Sequence, residues 1–312
     1  MMDWTDRHCR YFLRLLTPNA RLYTEMVTAA AIVHGDAERL LRYDSAEHPI
    51  ALQLGGSDVD WMTSAAAAAA EFSYDEININ VGCPSDRVQS GQFGACLMAT
   101  PEIVAACYAS MRDKVDVPIT VKTRIGINDQ DSYEFLKRFV DALVDVGCET
   151  FVVHARIAIL EGLSPKENRT VPPLNHERVF RLKQEYPNLK IVLNGGIKTV
   201  QQVDQVLGNV DGVMIGREAY HNPYFLAELE NHLQPNSSLP QRETVVEQMI
   251  PYIERELAAG ERLSRITRHM SGLFLGQPGA RAWRRFLSEN ACRDGADSNV
   301  LINALKQMPM AA

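Results

Sequence analysis

Cys83 follows an apolar run and lies in Asn80-Val81-Gly82-Cys83-Pro84-Ser85, where Gly82 and Pro84 bend the chain sharply. A free thiol, with a pKa near ~8.5, is mostly protonated at neutral pH, so it can serve as a general acid or as a nucleophile. An inert buried cysteine is the other reading, and it applies well to Cys107 and Cys148. Lys122 stands midway along the β pattern Val121-Lys122-Thr123-Arg124. Inside a barrel it is costly unless an anion faces it, and the negative ring of a reduced flavin is one such anion. A surface cation at a strand end is the alternative. His154, in Val152-Val153-His154-Ala155-Arg156, could donate to a flavin carbonyl, orient a substrate, or be a satisfied core histidine. Gln53 could pair with an isoalloxazine edge or cap a strand end. Asn194-Gly195-Gly196-Ile197 and Gly216-Arg217 end two further apolar runs. Their glycines let backbone N–H groups approach phosphate oxygens and Arg217 adds charge, although tight turns alone would also use them.

These residues need a scaffold that brings strand ends together. Short β-rich runs at 22–27, 49–55, 76–82, 118–124, 150–155, 190–194 and 212–216 alternate with helical patterns. Runs such as Ile191-Val192-Leu193 are apolar throughout, as in parallel strands buried on both faces. Asp60–Phe72 contains six consecutive alanines, Asp131–Glu134 can open a helix to Val146, and Thr199 can cap one to Leu207. Seven βα units at this spacing predict an α/β (β/α)8 TIM barrel rather than a doubly wound sheet. One strand is missing from the eight and would lie ahead of Met1. In such barrels the working residues sit at the C-terminal strand ends, which here are Gln53, Asn80 with Cys83, Lys122 with Arg124, His154 with Arg156, Asn194–Gly196 and Gly216-Arg217.

Beyond Asn222-Pro223 the pattern changes. Gln234–Pro240 is a turn-rich linker, and Thr244–Ala258, Ser264–Leu275, Gly279–Glu289 and Asn299–Lys306 read as amphipathic helices. The expected division is a catalytic barrel over residues 1–235 and a small all-helical domain over 241–312.

Composition bounds the rest. The 312 residues are 46% hydrophobic and 23% charged, an ordinary globular balance. No apolar run approaches the ~20 residues of a membrane span, and the N-terminus lacks the layout of a signal peptide. Six cysteines without CxxC spacing or paired histidines predict neither a disulfide framework nor a metal site, and fit a cytoplasmic protein. The net charge of −7 conceals a tail from residue 241 at +2, nine of whose ten cations are arginine. Arginine suits bidentate phosphate contacts, but a solvated helix face explains so small an excess equally well.

Taken in order, the motifs resemble those of the tRNA-dihydrouridine synthases. They are Met1-Met2-Asp3-Trp4-Thr5-Asp6-Arg7, Tyr23-Thr24-Glu25-Met26, Gln53-Leu54-Gly55-Gly56, Asn78–Ser85, Val121–Arg124, His154-Ala155-Arg156, Asn194–Ile197 and Gly216–Ala219. Leu163–Arg169 and Trp283–Asn290 look like the A-type branch, which acts on tRNA D-loop positions 20 and 20a. The chain departs from the branch at Ile157 and Ile159, where lysine and tryptophan are usual, and the strand ending in Ala-Pro that normally precedes Met-Met is absent.

The resemblance implies an FMN-containing barrel and a helical tRNA-binding domain, with NADPH as reductant and hydride passing from the flavin to C6 of a uracil. Cys83 would be the catalytic residue, protonating C5. Met1, Met2, Gln53, Lys122, His154, Asn194, Gly195, Gly196, Gly216 and Arg217 align with FMN contacts. Asn80, Lys166, Arg281 and Arg284 align with tRNA contacts. The expected assembly is a monomer with tRNA as partner and with neither metal nor membrane. Two competing readings are a flavin oxidoreductase acting on a free pyrimidine, against which the basic tail speaks, and a tRNA-binding protein that has lost catalysis through N-terminal truncation.

Overall fold

A computed structural model describes residues 1–85, 91–234 and 238–308. Its contacts divide the chain into two compact units. The strand unit holds Tyr23–Tyr43 and His48–Gly216; the helical unit holds Met1–Leu22, Asp44–Glu47 and the chain from Arg217 onward.

Seven strands form one sheet in sequence order: β1 (Leu22–Thr28), β2 (Ile50–Gly55), β3 (Glu76–Val81), β4 (Ile119–Arg124), β5 (Thr150–His154), β6 (Lys190–Asn194) and β7 (Gly212–Met214). From β2 to β7 each pairs in parallel with the next. Unbroken sequential order is that of a (β/α)8-type barrel, since a doubly wound sheet reverses its order at a switch point. All seven strand runs read from the sequence are present, with ends shifted by at most two residues.

The helices between strands follow their local signals. Val59–Ala70 carries the alanine run and is capped by Asp58, whose side chain accepts from Trp61 N–H. Ser132 caps Tyr133–Val144, and Thr199 with Gln202 forms a capping box on Val200–Leu207. Along β3, Ile77, Ile79 and Val81 are fully buried on one face, while Glu76, Asn78 and Asn80 occupy the other. Strand periodicity of two makes this a polar interior row beside an apolar outer one.

The helical unit is held in part by ion pairs and a ring stack that tie its N-terminal helix to the 3-10 turn Ser45–Glu47 and to the helix Arg242–Ala258. Arg10 Nε donates to Glu47 Oε2 at 2.5 Å, Arg7 pairs with Glu256, and Tyr11 stacks on Tyr252 with centroids 3.9 Å apart. Burial alone would raise the Asp6 carboxyl, but bonds from His269, Cys9 N–H and Arg268 hold it well below the usual range. These pairs group Met1–Leu22 with the C-terminal helices, so contact cuts the chain elsewhere than at 1–235 and 241–312. Helices at Arg242–Ala258, Ala280–Asn290 and Asn299–Leu305 lie where expected. The helix expected at Ser264–Leu275 is only Leu263–Thr267, followed by the 3-10 turn Arg268–Met270. Beyond that turn, at Gly272, a Cβ would lie 2.5 Å from the His221 carbonyl oxygen, so the chain needs a close backbone approach at that point. Pro235, Asn236 and Ser237 of the expected linker lie outside the described residues. Among the described residues no helix is long and apolar enough to cross a membrane.

Candidate active site

Parallel register sorts the interior side chains of the strand unit into levels. Gln53 pairs with Asn78, and Asn78 with Thr120. The next level up holds Asn80, Lys122 and Val152, and the one above it Arg124, His154 and Asn194. Polar residues at the strand ends therefore converge on one mouth, and Cys83 lies two residues beyond β3 at its rim.

The thiol turn is gripped from both sides. Asn80 Oδ1 accepts from Gly82 N–H at 2.9 Å and Cys83 N–H at 3.0 Å, while Asn80 Nδ2 donates to Gln53 Oε1 at 2.7 Å. Arg124, only 3% exposed, donates from Nε to the Gly82 carbonyl at 2.9 Å. Its other bonds run to the carbonyls of Ile157 and Asn168, each 3.0 Å. Cys83 itself is half-buried, with Sγ 3.5 Å from Ser85 Oγ, and its carbonyl accepts from Ala95 N–H. All six cysteines are free thiols, and Cys9, Cys107 and Cys148 are buried. Burial pushes the Cys107 thiol up to about 11 and Cys148 up to about 12, as inert core cysteines require.

The Lys122 side chain makes no hydrogen bond or ion pair among the described residues. Burial, with Arg124 adding repulsion, pulls its ammonium down to about 8, against which Cys83 acts favourably. Arg124 is lowered to about 10 by burial, with Arg169 and Arg156 contributing repulsion. Four cations thus share this mouth, an arrangement suited to an anionic guest.

On the opposite side of the mouth, Asn194 Nδ2 donates to the Met214 carbonyl at 2.8 Å, tying β6 to β7. Gly195 and Gly196 have φ of +111° and +83°. A Cβ on Gly195 would lie 2.7 Å from the His154 ring, so glycine there serves both the turn and the close approach of the imidazole. His176 Nε2 meets the Gly195 carbonyl at 2.9 Å. Asn168, fully buried, organises the loop after β5: its amide bonds both N–H and C=O of Ile159 and reaches Leu163 O. Ile157 and Ile159 therefore contribute backbone atoms to this loop whatever their side chains. Lys166 is exposed on it.

Of the expected site residues, the strand unit brings together Gln53, Asn80, Cys83, Lys122, His154, Asn194, Gly195 and Gly196, with Gly216 at its end. Met1, Met2 and Arg217 belong to the helical unit: Met1 bonds Thr5, Met2 is 55% exposed, and Arg217 opens the helix Arg217–His221. Arg281 and Arg284, three residues apart on Ala280–Asn290, are both exposed, while Trp283 and Leu287 of the same helix are buried. Neither arginine pairs with an acid among the described residues. Sequence reading passed over Asn78, Thr120 and Glu76, although polar residues alternating with isoleucine in Glu76-Ile77-Asn78-Ile79-Asn80 were a visible signal. No cluster of metal-ligating residues occurs among the described ones.

Comparison with known proteins gives a single picture. The family model described as "Dihydrouridine synthase (Dus)" matches residues 1–309. A protein of Shewanella oneidensis named tRNA-dihydrouridine(20/20a) synthase is 58% identical over 302 residues, 96% of this chain and 90% of the relative. Proteins of the same name from Vibrio parahaemolyticus and Escherichia coli strain K12 are 56% and 58% identical, covering 99% and 98% of this chain and 95% and 89% of theirs.

Proposed function

Since this chain belongs to the dihydrouridine synthase family of oxidoreductases, we propose that it reduces the 5,6-double bond of uridine in the tRNA D-loop, at positions 20 and 20a, with FMN as cofactor and NADPH as reductant. The observation that carries this reading is Cys83 held at the rim of a mouth whose interior presents Lys122 with no anion beside it.

The residues present fit a flavin. A cation enclosed by strands calls for an anionic partner, and the paired positive-φ glycines at 195 and 196 offer a side-chain-free edge beside His154. Lys122, Gln53, His154, Asn194–Gly196 and Gly216 would hold the ring system and its phosphate, and Arg217, Met1 and Met2 are assigned to the same cofactor by the motif alignment. Bound FMN would supply the hydride. The chain's own contribution is the proton: Cys83 Sγ delivers it to C5 of the uracil, and the thiolate left behind is stabilised by the neighbouring charges of Lys122 and Arg124. Asn80 and Lys166 are assigned to tRNA contacts, as are Arg281 and Arg284, whose helix face offers two guanidinium groups to phosphates. A base buried in its stack must be extruded before reaction, at a cost of a few kcal/mol that phosphate contacts offset.

The test is direct. Protein loaded with FMN and supplied with NADPH and unmodified tRNA should yield dihydrouridine at positions 20 and 20a, mapped by mass spectrometry of nuclease fragments. A preparation that stays colourless after incubation with FMN, or that leaves both positions as uridine, would refute it.

A further inference from the structure

Five side chains run in single file through the interior of the strand unit, from the first residue of β3 to the thiol turn. Glu76 Oε1 accepts from Tyr23 O–H at 2.7 Å and from Thr120 O–H at 2.6 Å. The Thr120 oxygen accepts from Asn78 Nδ2 at 2.8 Å, and Asn78 Oδ1 accepts from Gln53 Nε2 at 2.9 Å. Gln53 Oε1 accepts from Asn80 Nδ2, and Asn80 Oδ1 receives the Gly82 and Cys83 N–H groups. Glu76, Gln53, Asn78, Asn80 and Thr120 are all below 9% exposed, so water does not substitute for a lost link.

The polarity of this file is fixed at both ends. At one end a carboxylate oxygen takes two hydroxyl protons; at the other, backbone N–H groups can only donate. Each amide between them has one orientation that satisfies both neighbours. Reversing any one would set N–H against N–H or oxygen against oxygen inside the protein. Thr120 is the pivot, because its hydroxyl gives its proton to Glu76 and so must receive Asn78.

We propose that Glu76, Thr120 and Asn78 are positioning residues for Cys83: they set the amide orientation of Gln53 and Asn80 and thereby hold the thiol turn from a distance. By register Thr120 lies opposite Asn78, five residues before Cys83 in the chain. The consequence for proton delivery rests on the reading of Cys83 given above, while the positioning itself does not.

Peptide-resolved hydrogen exchange on the whole protein tests it without reference to activity. In Thr120→Val the Gly82 and Cys83 amides should exchange about tenfold faster, while the Phe151–His154 amides of β5 keep their protection and Thr120→Ser stays near the parent rate. Should the valine variant fail to fold, Thr120→Ala removes the same hydroxyl with less bulk and is read identically. Unchanged exchange at Gly82 and Cys83, equal loosening in Thr120→Ser, or a loss shared equally by β5 would each overturn the proposal. Dihydrouridine formation, measured separately, distinguishes failure of the functional reading from failure of this one.

Discussion

A proton donor must leave an anion behind in the transition state, and the two cations beside Cys83, Lys122 and Arg124, stabilise that thiolate. Cys83→Ala should leave flavin and tRNA binding intact while lowering dihydrouridine formation by at least about a hundredfold. Single-turnover measurement with pre-reduced protein isolates that step, and a normal rate would remove Cys83 from the reaction. Lys122 gives a prediction with a sign. Its folded-state pKa, about 8, lies below the ordinary 10.5, so between these values the unfolded chain carries a proton that the folded chain has shed. Stability of the flavin-free protein should therefore rise from pH 8 toward 10.5, by of order 1–3 kcal/mol. Lys122→Met should lack this rise in urea titrations. Flavin binding should slope the opposite way, weakening as pH climbs past about 8 and the cation is lost. Most of the site was legible at this scale because a polar residue ending an apolar strand has few structural excuses. Thr120 was not, since a threonine in a strand is unremarkable until its partner on another strand is known.

At the scale of elements, what makes the site is register. Parallel pairing puts Asn80 level with Lys122, and His154 level with Asn194, and strand periodicity turns all four side chains to one face. The strand runs were readable because double burial leaves near-continuous apolar stretches. Register was not, because single-strand patterns say nothing about which residue of the neighbour lies opposite. The Gly195 turn is where element and site meet. Gly195→Ala must carry a side chain at φ +111° and within 2.7 Å of the His154 ring. It should displace the imidazole and lower FMN affinity by about tenfold or more, read by flavin fluorescence, while costing roughly 1–3 kcal/mol in stability. The shortened helix at Leu263–Thr267 is the matching failure of periodicity: the apolar spacing continues to Leu275, but the helix stops at Thr267 and the chain beyond it brings Gly272 against His221 O, a contact that no local pattern encodes.

At the scale of the whole molecule, a protein at −7 must bind a polyanion with cations placed locally rather than in bulk. Its N-terminal residues contribute to the helical unit because Arg10 finds Glu47 and Arg7 finds Glu256, pairings across 37 residues in one case and 249 in the other that a linear reading cannot supply. Those pairs use cations for structure; Arg281 and Arg284 are spent on nothing among the described residues. The helix carrying them is anchored by Trp283, fully buried with its indole N–H on Met270 O at 3.1 Å. Two substitutions on one helix should then separate cleanly. Trp283→Ala should cost about 3–5 kcal/mol of stability, visible as a lowered urea midpoint. Arg281→Ala with Arg284→Ala should leave that midpoint within about 0.5 kcal/mol, since both side chains are exposed. The double variant should instead raise the KM for tRNA and reduce the steepness of its salt dependence by about one to two charges, each lost phosphate contact releasing fewer counterions. NADPH-driven flavin reduction without tRNA should be untouched. A KM that does not move, with the salt slope retained, would leave these arginines as a solvated helix face and assign tRNA affinity to the cations around the barrel mouth.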